Sequence, residues 1–228
     1  MNRLRRVVRS WLAGQGDHEP VMLGTQQAYT LWAARYPPEA HNPLMALEER
    51  AMKALLPEVK GKRIADLGTG TGRYVHLLSQ LGAESVVGLD QNWAMLHAGS
   101  GERIQAALQA LPVADGAFDG LVCGLTLGHC PALEPVFAEV SRILKPGGWF
   151  LFSDFHPVLA HLGMARSFVG ADGRCYAVEH HAHGYADYFH ACLAAGQQVV
   201  DVREPDLVPP GHHESIPAVL VMLCQKGR

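Results

Sequence analysis

The stretch from Lys62 to Tyr74, Lys-Arg-Ile-Ala-Asp-Leu-Gly-Thr-Gly-Thr-Gly-Arg-Tyr, constrains the fold of this chain more than any other. A short apolar run leads into three alternate glycines and then into residues with helical periodicity, which reads as strand, tight loop and helix. Gly68, Gly70 and Gly72 let the backbone turn sharply and let a ligand approach where a Cβ would obstruct it. The helix that follows presents free N–H groups. Such a unit is the ligand-cradling first crossover of a doubly wound α/β sheet. A dinucleotide fingerprint needs its third glycine three positions after the second, and this chain has Arg73 there. The spacing therefore argues against a nicotinamide cofactor.

Within that stretch, Asp66-Leu67-Gly68-Thr69-Gly70-Thr71-Gly72 resembles the first motif of the class I S-adenosylmethionine-dependent methyltransferases, an acidic residue followed by glycines at alternate positions. Two further matches follow in order. Ser85 to Asp90 is an apolar strand ending in a carboxylate about twenty residues beyond the first glycine, where it points toward the ribose of a nucleoside and accepts from both hydroxyls. NAD and S-adenosylmethionine share that ribose, so Asp90 supports a nucleoside ligand and the glycine spacing chooses between them. Leu144-Lys145-Pro146-Gly147-Gly148 resembles the family's turn into a fifth strand, 149–154. Asp115 to Leu127 is similar to its Phe-Asp-x-apolar fourth strand, and Leu127-Gly128-His129 opens the loop after it.

The resemblance implies a Rossmann-like fold, a doubly wound and mostly parallel seven-stranded sheet with an N-terminal helical lid, as in the small-molecule, quinone-methyltransferase-like branch. It implies transfer of a methyl group from S-adenosylmethionine to an O or N atom of a small molecule. The cofactor would be held by Asp66, Gly68, Thr69, Gly70 and Gly72, by Asp90 at the ribose, by Gln91, by Leu108 at the adenine, and by Leu125. The family often has an aspartate for the adenine amino group, and Ala107 stands in that place here, which leaves backbone groups and apolar stacking at Leu108. Tyr29, Trp32, Ala33 and Tyr36 recur at helical spacing, which by itself describes a buried helix face. Tyr29, Ala33 and Tyr36 also match the family's Tyr-x-x-x-Ala-x-x-Tyr helix, whose tyrosine hydroxyl would bond the cofactor carboxylate.

Elsewhere the elements follow from local signals. Arg3, Arg5, Arg6 and Arg9 interleaved with Leu4, Val7, Val8, Trp11 and Leu12 predict a short basic amphipathic helix, packed on the domain or covering a pocket, and not a signal peptide. Asn42 and Pro43 predict a helix start, with a stripe of Leu44, Leu47, Ala51 and Leu55 ending near Pro57. Helices are expected over 137–144 and 185–195, the latter stopped by Gly196, and final strands over 198–203 and 218–225. The organisation expected is residues 1–57 as N-terminal helices and lid, then 58–228 as the cofactor-binding domain with an acceptor-covering insert at about 156–184.

A chain of 228 residues suits one α/β domain with additions, and 48% hydrophobic with 18% charged residues is ordinary for a globular protein. The net charge of −3 gives no general attraction to nucleic acid or anionic membrane, and no Asn-Pro-Pro-Tyr-like segment follows the fourth strand. Five cysteines without a C-x-x-C pair suggest neither a disulfide framework nor a zinc ribbon, and fit a reducing cytoplasm.

Beyond Asp154 the chain is rich in histidine: His156, His161, His180, His181, His183 and His190. His181 and His183 share a spacing that would place both on one strand face, but no carboxylate partner is evident, so no metal is expected. An acceptor pocket is the expected use. Methyl transfer from a sulfonium is an in-line displacement that needs the nucleophile held close and water excluded. A base helps where the acceptor carries a proton. His129 and His156 follow the fourth and fifth strands at their carboxyl ends, where ligands of open sheets bind, and are the candidate catalytic residues. Two alternatives to a methyltransferase stay open, a cofactor-binding protein without turnover and, against the glycine spacing, a nicotinamide-dependent oxidoreductase.

Overall fold

The computed structural model describes residues 20–208 and 215–228. The basic helix expected in the first residues lies outside them. In chain order the elements are β1 (Val21–Leu23), α1 (Thr25–Trp32), α2 (Pro43–Leu55), β2 (Arg63–Leu67), α3 (Arg73–Gln80), β3 (Ser85–Asp90), α4 (Trp93–Ala98), β4 (Glu102–Gln105) and β5 (Phe118–Gly124). They continue with α5 (Glu134–Ile143), β6 (Leu144–Phe155), α6 (Pro157–His161), β7 (Ser167–Val169), β8 (Cys175–Val178), α7 (Tyr185–Ala194), β9 (Gln197–Arg203), β10 (Asp206–Leu207), β11 (Ile216–Pro217) and β12 (Val219–Lys226).

Seven strands form the main sheet in the order β4-β3-β2-β5-β6-β12-β9. All neighbours from β4 to β6 are parallel, and β12 runs antiparallel to both β6 and β9. The order reverses between β2 and β5, and there the carboxyl ends of the strands diverge to leave a crevice. Helices cover both faces, which is why Ile64, Ala65 and Leu67 are buried in succession along β2 instead of alternating with polar residues. One face is packed by Phe137, Phe150, Phe152 and Tyr188, with ring centroids 5.0–5.5 Å apart along Phe137–Phe150, Phe150–Phe152 and Phe152–Tyr188. On the other, Leu44, Met45 and Met52 of α2 and Leu78 of α3 close over Ile64 and Val122.

Asn42 caps α2 as the sequence predicts, its Oδ1 accepting from the Met45 N–H at 2.9 Å, with Pro43 in the first turn. The buried face is turned from the expected stripe, however: Leu44, Met45, Glu48 and Met52 are inside, while Leu47, Ala51 and Leu55 are only partly covered. A buried glutamate takes the place of a leucine because partners await it, as described below. α5 begins at Glu134, ahead of the expected Phe137, with Pro135 in its first turn. β6 includes the Lys-Pro-Gly-Gly segment, with Gly147 at φ +73° and an irregular register against β5. α7 ends as expected before Gly196 at φ +69°.

Over the carboxyl ends of the main strands lies a second sheet in the order β1-β8-β7. β1 precedes the first helix and β8 comes from the histidine-rich segment, so the two expected coverings are stitched together, Val21 to Leu23 pairing in parallel with Tyr176 to Val178. α1 packs on this sheet through Ala28 against Phe168 and Val178, and Trp32 stacks on Phe168 at 4.5 Å.

Candidate active site

The three glycines between β2 and α3 all have positive φ, +68° at Gly68, +57° at Gly70 and +93° at Gly72, a region costly for any residue with a Cβ. At Gly68 a Cβ would also fall 2.2 Å from Cγ2 of Thr126, so the loop is drawn tight against the end of β5. The turn brings the Gly70 N–H to Oδ2 of Asp90 at 2.9 Å, and the Asn92 N–H meets Oδ1 at 2.8 Å. A carboxylate has about four acceptor positions. These donors, with the Gln91 N–H, fix the orientation of Asp90 and leave acceptor capacity for a ligand. Burial raises the Asp90 carboxyl, against the pull of the Asn92, Gly70 and Gln91 backbone N–H groups.

Asp66, at the end of β2, is almost fully buried and accepts from the Thr69 hydroxyl at 2.6 Å. Burial pushes its carboxyl up to about 7, the Thr69 hydrogen bond opposing. With Asp90 it makes the floor of the crevice a place where a cation would be welcome.

Arg73 explains why no glycine stands at that position. It opens α3 and donates through Nη2 to Oε2 of Glu48 at 2.7 Å and through Nη1 to Oε2 of Glu49 at 3.3 Å. Glu48 also accepts at Oε1 from the Tyr74 hydroxyl at 2.7 Å and from the Ser153 hydroxyl at 2.6 Å. This buried carboxylate, unsuspected from the sequence, ties α2, α3 and β6 together beneath the site. Its only signal was its place on the apolar face of α2.

The loop after β5 carries Leu125 at φ +56°, alone among the described residues other than glycine in having positive φ. Ser153 holds it there, the Leu125 N–H reaching the Ser153 carbonyl and hydroxyl oxygens at 3.0 Å. Such strain persists only where the surroundings over-determine it. The Leu125 carbonyl accepts from Nη2 of Arg166 at 2.9 Å. Nη1 of the same guanidinium donates to the Tyr29 hydroxyl and to Nε2 of His129, the latter at 3.1 Å. Tyr29 lies 3.0 Å from that Nε2, and the Glu179 carbonyl lies 3.1 Å from Nδ1 of His129. A carbonyl can only accept, so Nδ1 carries the proton and Nε2 presents its lone pair to Tyr29 and Arg166. Burial and then the Arg166 charge hold His129 well below the usual histidine value, and the imidazole is neutral. Tyr29 is pushed up to about 12 by burial, Arg166 opposing.

These groups surround a cavity of about 210 Å³. Of the residues singled out from the sequence, Asp66, Gly68, Thr69 and Gly70 line it from the glycine loop, Asp90 and Gln91 from the end of β3, and Leu108 from the loop after β4. Tyr29, Tyr36, Leu125 and His129 close its other side. Gly72 lies behind the lining and serves as the left-handed N-cap of α3. Arg166, which no sequence signal marked, lines this cavity and also a second, smaller one of about 50 Å³. Leu125, Tyr36 and Met45 are likewise shared, and the second chamber continues through Trp32, Leu44, Phe155, Leu159, Met164 and His180.

His156 is not brought to either chamber. Its Nδ1 caps α6 by accepting from the Val158 N–H at 3.2 Å, and its Nε2 lies 2.8 Å from both Oε1 of Glu204 and the Tyr185 hydroxyl. Both ring nitrogens are therefore hydrogen-bonded outside the two chambers, although Leu159 and Ala160 of α6, the helix that follows, line the smaller one. The His181 N–H bonds the Gly128 carbonyl and His183 Nε2 the Cys130 carbonyl, so this pair braces the loop after β5. Among the described residues no group of three or more His, Cys, Asp or Glu is placed to hold a metal.

Residues 65–152 match the family described as a methyltransferase domain. A ubiquinone biosynthesis O-methyltransferase of Burkholderia thailandensis is 30% identical over 159 residues, 63% of this chain and 67% of that protein. The biotin biosynthesis bifunctional protein BioHC of Saccharophagus degradans is 35% identical over 111 residues, 45% of this chain, and the chain spans only 20% of its length. Among solved structures, an S-adenosylmethionine-dependent methyltransferase from Mesorhizobium loti superposes with a TM-score of 0.66 at 25% identity, covering 79% of this chain and 98% of that one. Strand order, glycine crossover and relatives agree, and the chain belongs to the class I S-adenosylmethionine-dependent methyltransferases.

Proposed function

We infer that this enzyme moves a methyl group to an O or N atom of a small molecule, with the larger chamber holding S-adenosylmethionine and the smaller one the acceptor. The observation that carries this reading is the junction of the two chambers at Leu125, Arg166, Tyr36 and Met45. When bound, the cofactor supplies an electrophilic methyl on a sulfonium.

Gly68 and Gly70 would give way to the ligand, and the remaining acceptor positions of Asp90 would take the ribose hydroxyls. Leu108 would hold the adenine, and Gln91 lines the same chamber. Asp66, once ionised, would balance the positive charge of the cofactor. On the acceptor side, residues 156–184, α1 with Tyr29, and Tyr36 beyond its end exclude water. His129 acts as a positioning residue in this reading: with its lone pair given to Tyr29 and Arg166, it holds the guanidinium, and the acceptor oxygen or nitrogen attacks in line through proximity. The relative named as an O-methyltransferase supports oxygen as the atom methylated, in a small acceptor of the quinone-precursor kind.

Incubation of the purified protein with methyl-labelled S-adenosylmethionine and fractionated metabolite pools tests this. Label transferred to a small organic molecule, with the demethylated cofactor formed in equal amount, is expected. Label found only in protein or nucleic acid would contradict the reading.

A further inference from the structure

Arg166 stands at the junction of the two chambers with no carboxylate in ion-pair range among the described residues. Its five N–H donors meet three acceptors, the Tyr29 hydroxyl, His129 Nε2 and the Leu125 carbonyl, all of them neutral. Nε and one N–H of Nη2 carry no acceptor among the described residues, so the guanidinium keeps donors for an anion. A part-buried guanidinium without an anion is costly, since the desolvation of the charge is not offset by Coulomb attraction. The surrounding structure nevertheless fixes it, with the Phe155 ring 4.8 Å beneath the guanidinium carbon.

A second, independent observation lies beside the same ring. His180 packs edge-on to Phe155 at 5.5 Å and lines the smaller chamber, and its buried Nδ1 has no hydrogen-bond partner. Gly128 alone leaves room for it: a Cβ there would lie 1.9 Å from His180 Cε1. Between these two polar groups the wall is apolar, formed by Trp32, Leu159 and Met164.

We propose that the smaller chamber takes an acceptor with an apolar body and one carboxylate, or a comparable planar oxyanion, held by the remaining donors of Arg166 with His180 Nδ1 as a second donor. This rests on the assignment of the larger chamber to the cofactor. It fixes the acceptor class from the donor set: an unpaired cation beside an orphaned imidazole nitrogen, in an apolar pocket, recognises an anionic amphiphile and rejects its neutral isostere. The cofactor also carries a carboxylate, and the experiment separates the two sources.

Binding of butanoate, octanoate and 3-phenylpropanoate is measured by calorimetry beside their primary amides, with and without saturating S-adenosylhomocysteine. In the wild-type protein at least one carboxylate should bind about tenfold or more tightly than its amide, in line with a charge-assisted pair. Arg166→Gln should abolish that preference, and Arg166→Lys should keep part of it. Equal binding of every carboxylate and its amide in the wild-type protein overturns the proposal, whether or not the variants fold. So does an Arg166→Gln protein that keeps the preference but binds S-adenosylhomocysteine more than about tenfold less tightly, for the guanidinium would then serve the cofactor. Carboxylate preference in a wild-type protein that fails to bind S-adenosylhomocysteine supports the anion site and defeats the cofactor assignment instead.

Discussion

The hydroxyl of Tyr29 lies 3.0 Å from Nε2 of His129, and the contact joins the first helix to the loop after the fourth strand of the sheet's parallel run. Because Nδ1 of the same ring is tied to the Glu179 carbonyl, the lone pair at Nε2 is directed at Tyr29 and Arg166 and at nothing else among the described residues. A histidine whose protonated form is disfavoured by burial and by Arg166 is a weak base.

His129 should therefore behave as a bracket. His129→Ala is expected to raise the acceptor KM by about tenfold or more, with a smaller fall in kcat, and His129→Asn, which keeps an acceptor near Arg166, should recover most of the loss. The pH profile of kcat in the wild-type enzyme should lack a histidine limb between about pH 6 and 8. A limb that disappears in His129→Asn would show that the imidazole removes a proton after all.

Burial of Asp66 carries a cost to the fold. Its carboxyl sits up at about 7 in the folded chain, against 3.8 when free. The native state thus holds a proton that the unfolded state releases, and the contribution of Asp66 to stability is most favourable below pH 3.8 and falls as pH rises toward 7. Asp66→Asn, which can still accept from Thr69, should stabilise the cofactor-free protein at pH 8 by up to about 4 kcal/mol, a gain that fades toward pH 4 in urea titrations. The same substitution should weaken S-adenosylhomocysteine binding. In the wild-type protein that binding should release a proton near pH 6, seen by calorimetry in buffers of different ionisation enthalpy, and a pH-independent affinity would sink the pairing of Asp66 with a cationic ligand.

Glu48 gathers Arg73, Tyr74 and Ser153 in the interior. Removing its charge leaves Arg73 with only the longer contact to Glu49, at 3.3 Å. Glu48→Gln should destabilise the fold by about 3 kcal/mol, the range for breaking one side of a buried pair. A loss below about 1 kcal/mol in denaturant titrations would mean that Arg73 finds an equal partner elsewhere.

Much of this site was legible in the sequence because it is carried by local backbone demands. Alternate glycines at 68, 70 and 72 answer to positive φ, and Asp90 answers to the length of a βαβ unit, so both could be placed without tertiary knowledge. Arg166 and Glu48 could not. A glutamate among the leucines of α2 looks like an interruption until Arg73, Tyr74 and Ser153 are brought to it from later in the chain. Arg166 lies in a segment with no periodicity, and its meaning comes from Tyr29 and His129, which meet it only when β8 pairs with β1. His156 stands at the end of a strand as read, but its ring caps the helix that Pro157 starts and meets Tyr185 and Glu204, contacts that no local signal marks.

If the glycine loop and Asp90 hold the nucleoside of S-adenosylmethionine, calorimetry of S-adenosylhomocysteine with the wild-type and Asp90→Ala proteins shows it. The wild-type chain is expected to bind this ligand and not NAD, and Asp90→Ala, checked for an unchanged fold by its thermal transition, to lose roughly 2 kcal/mol or more of that affinity as two charge-assisted hydrogen bonds disappear. Equal affinity in the two proteins, or NAD binding in the wild type, would contradict it.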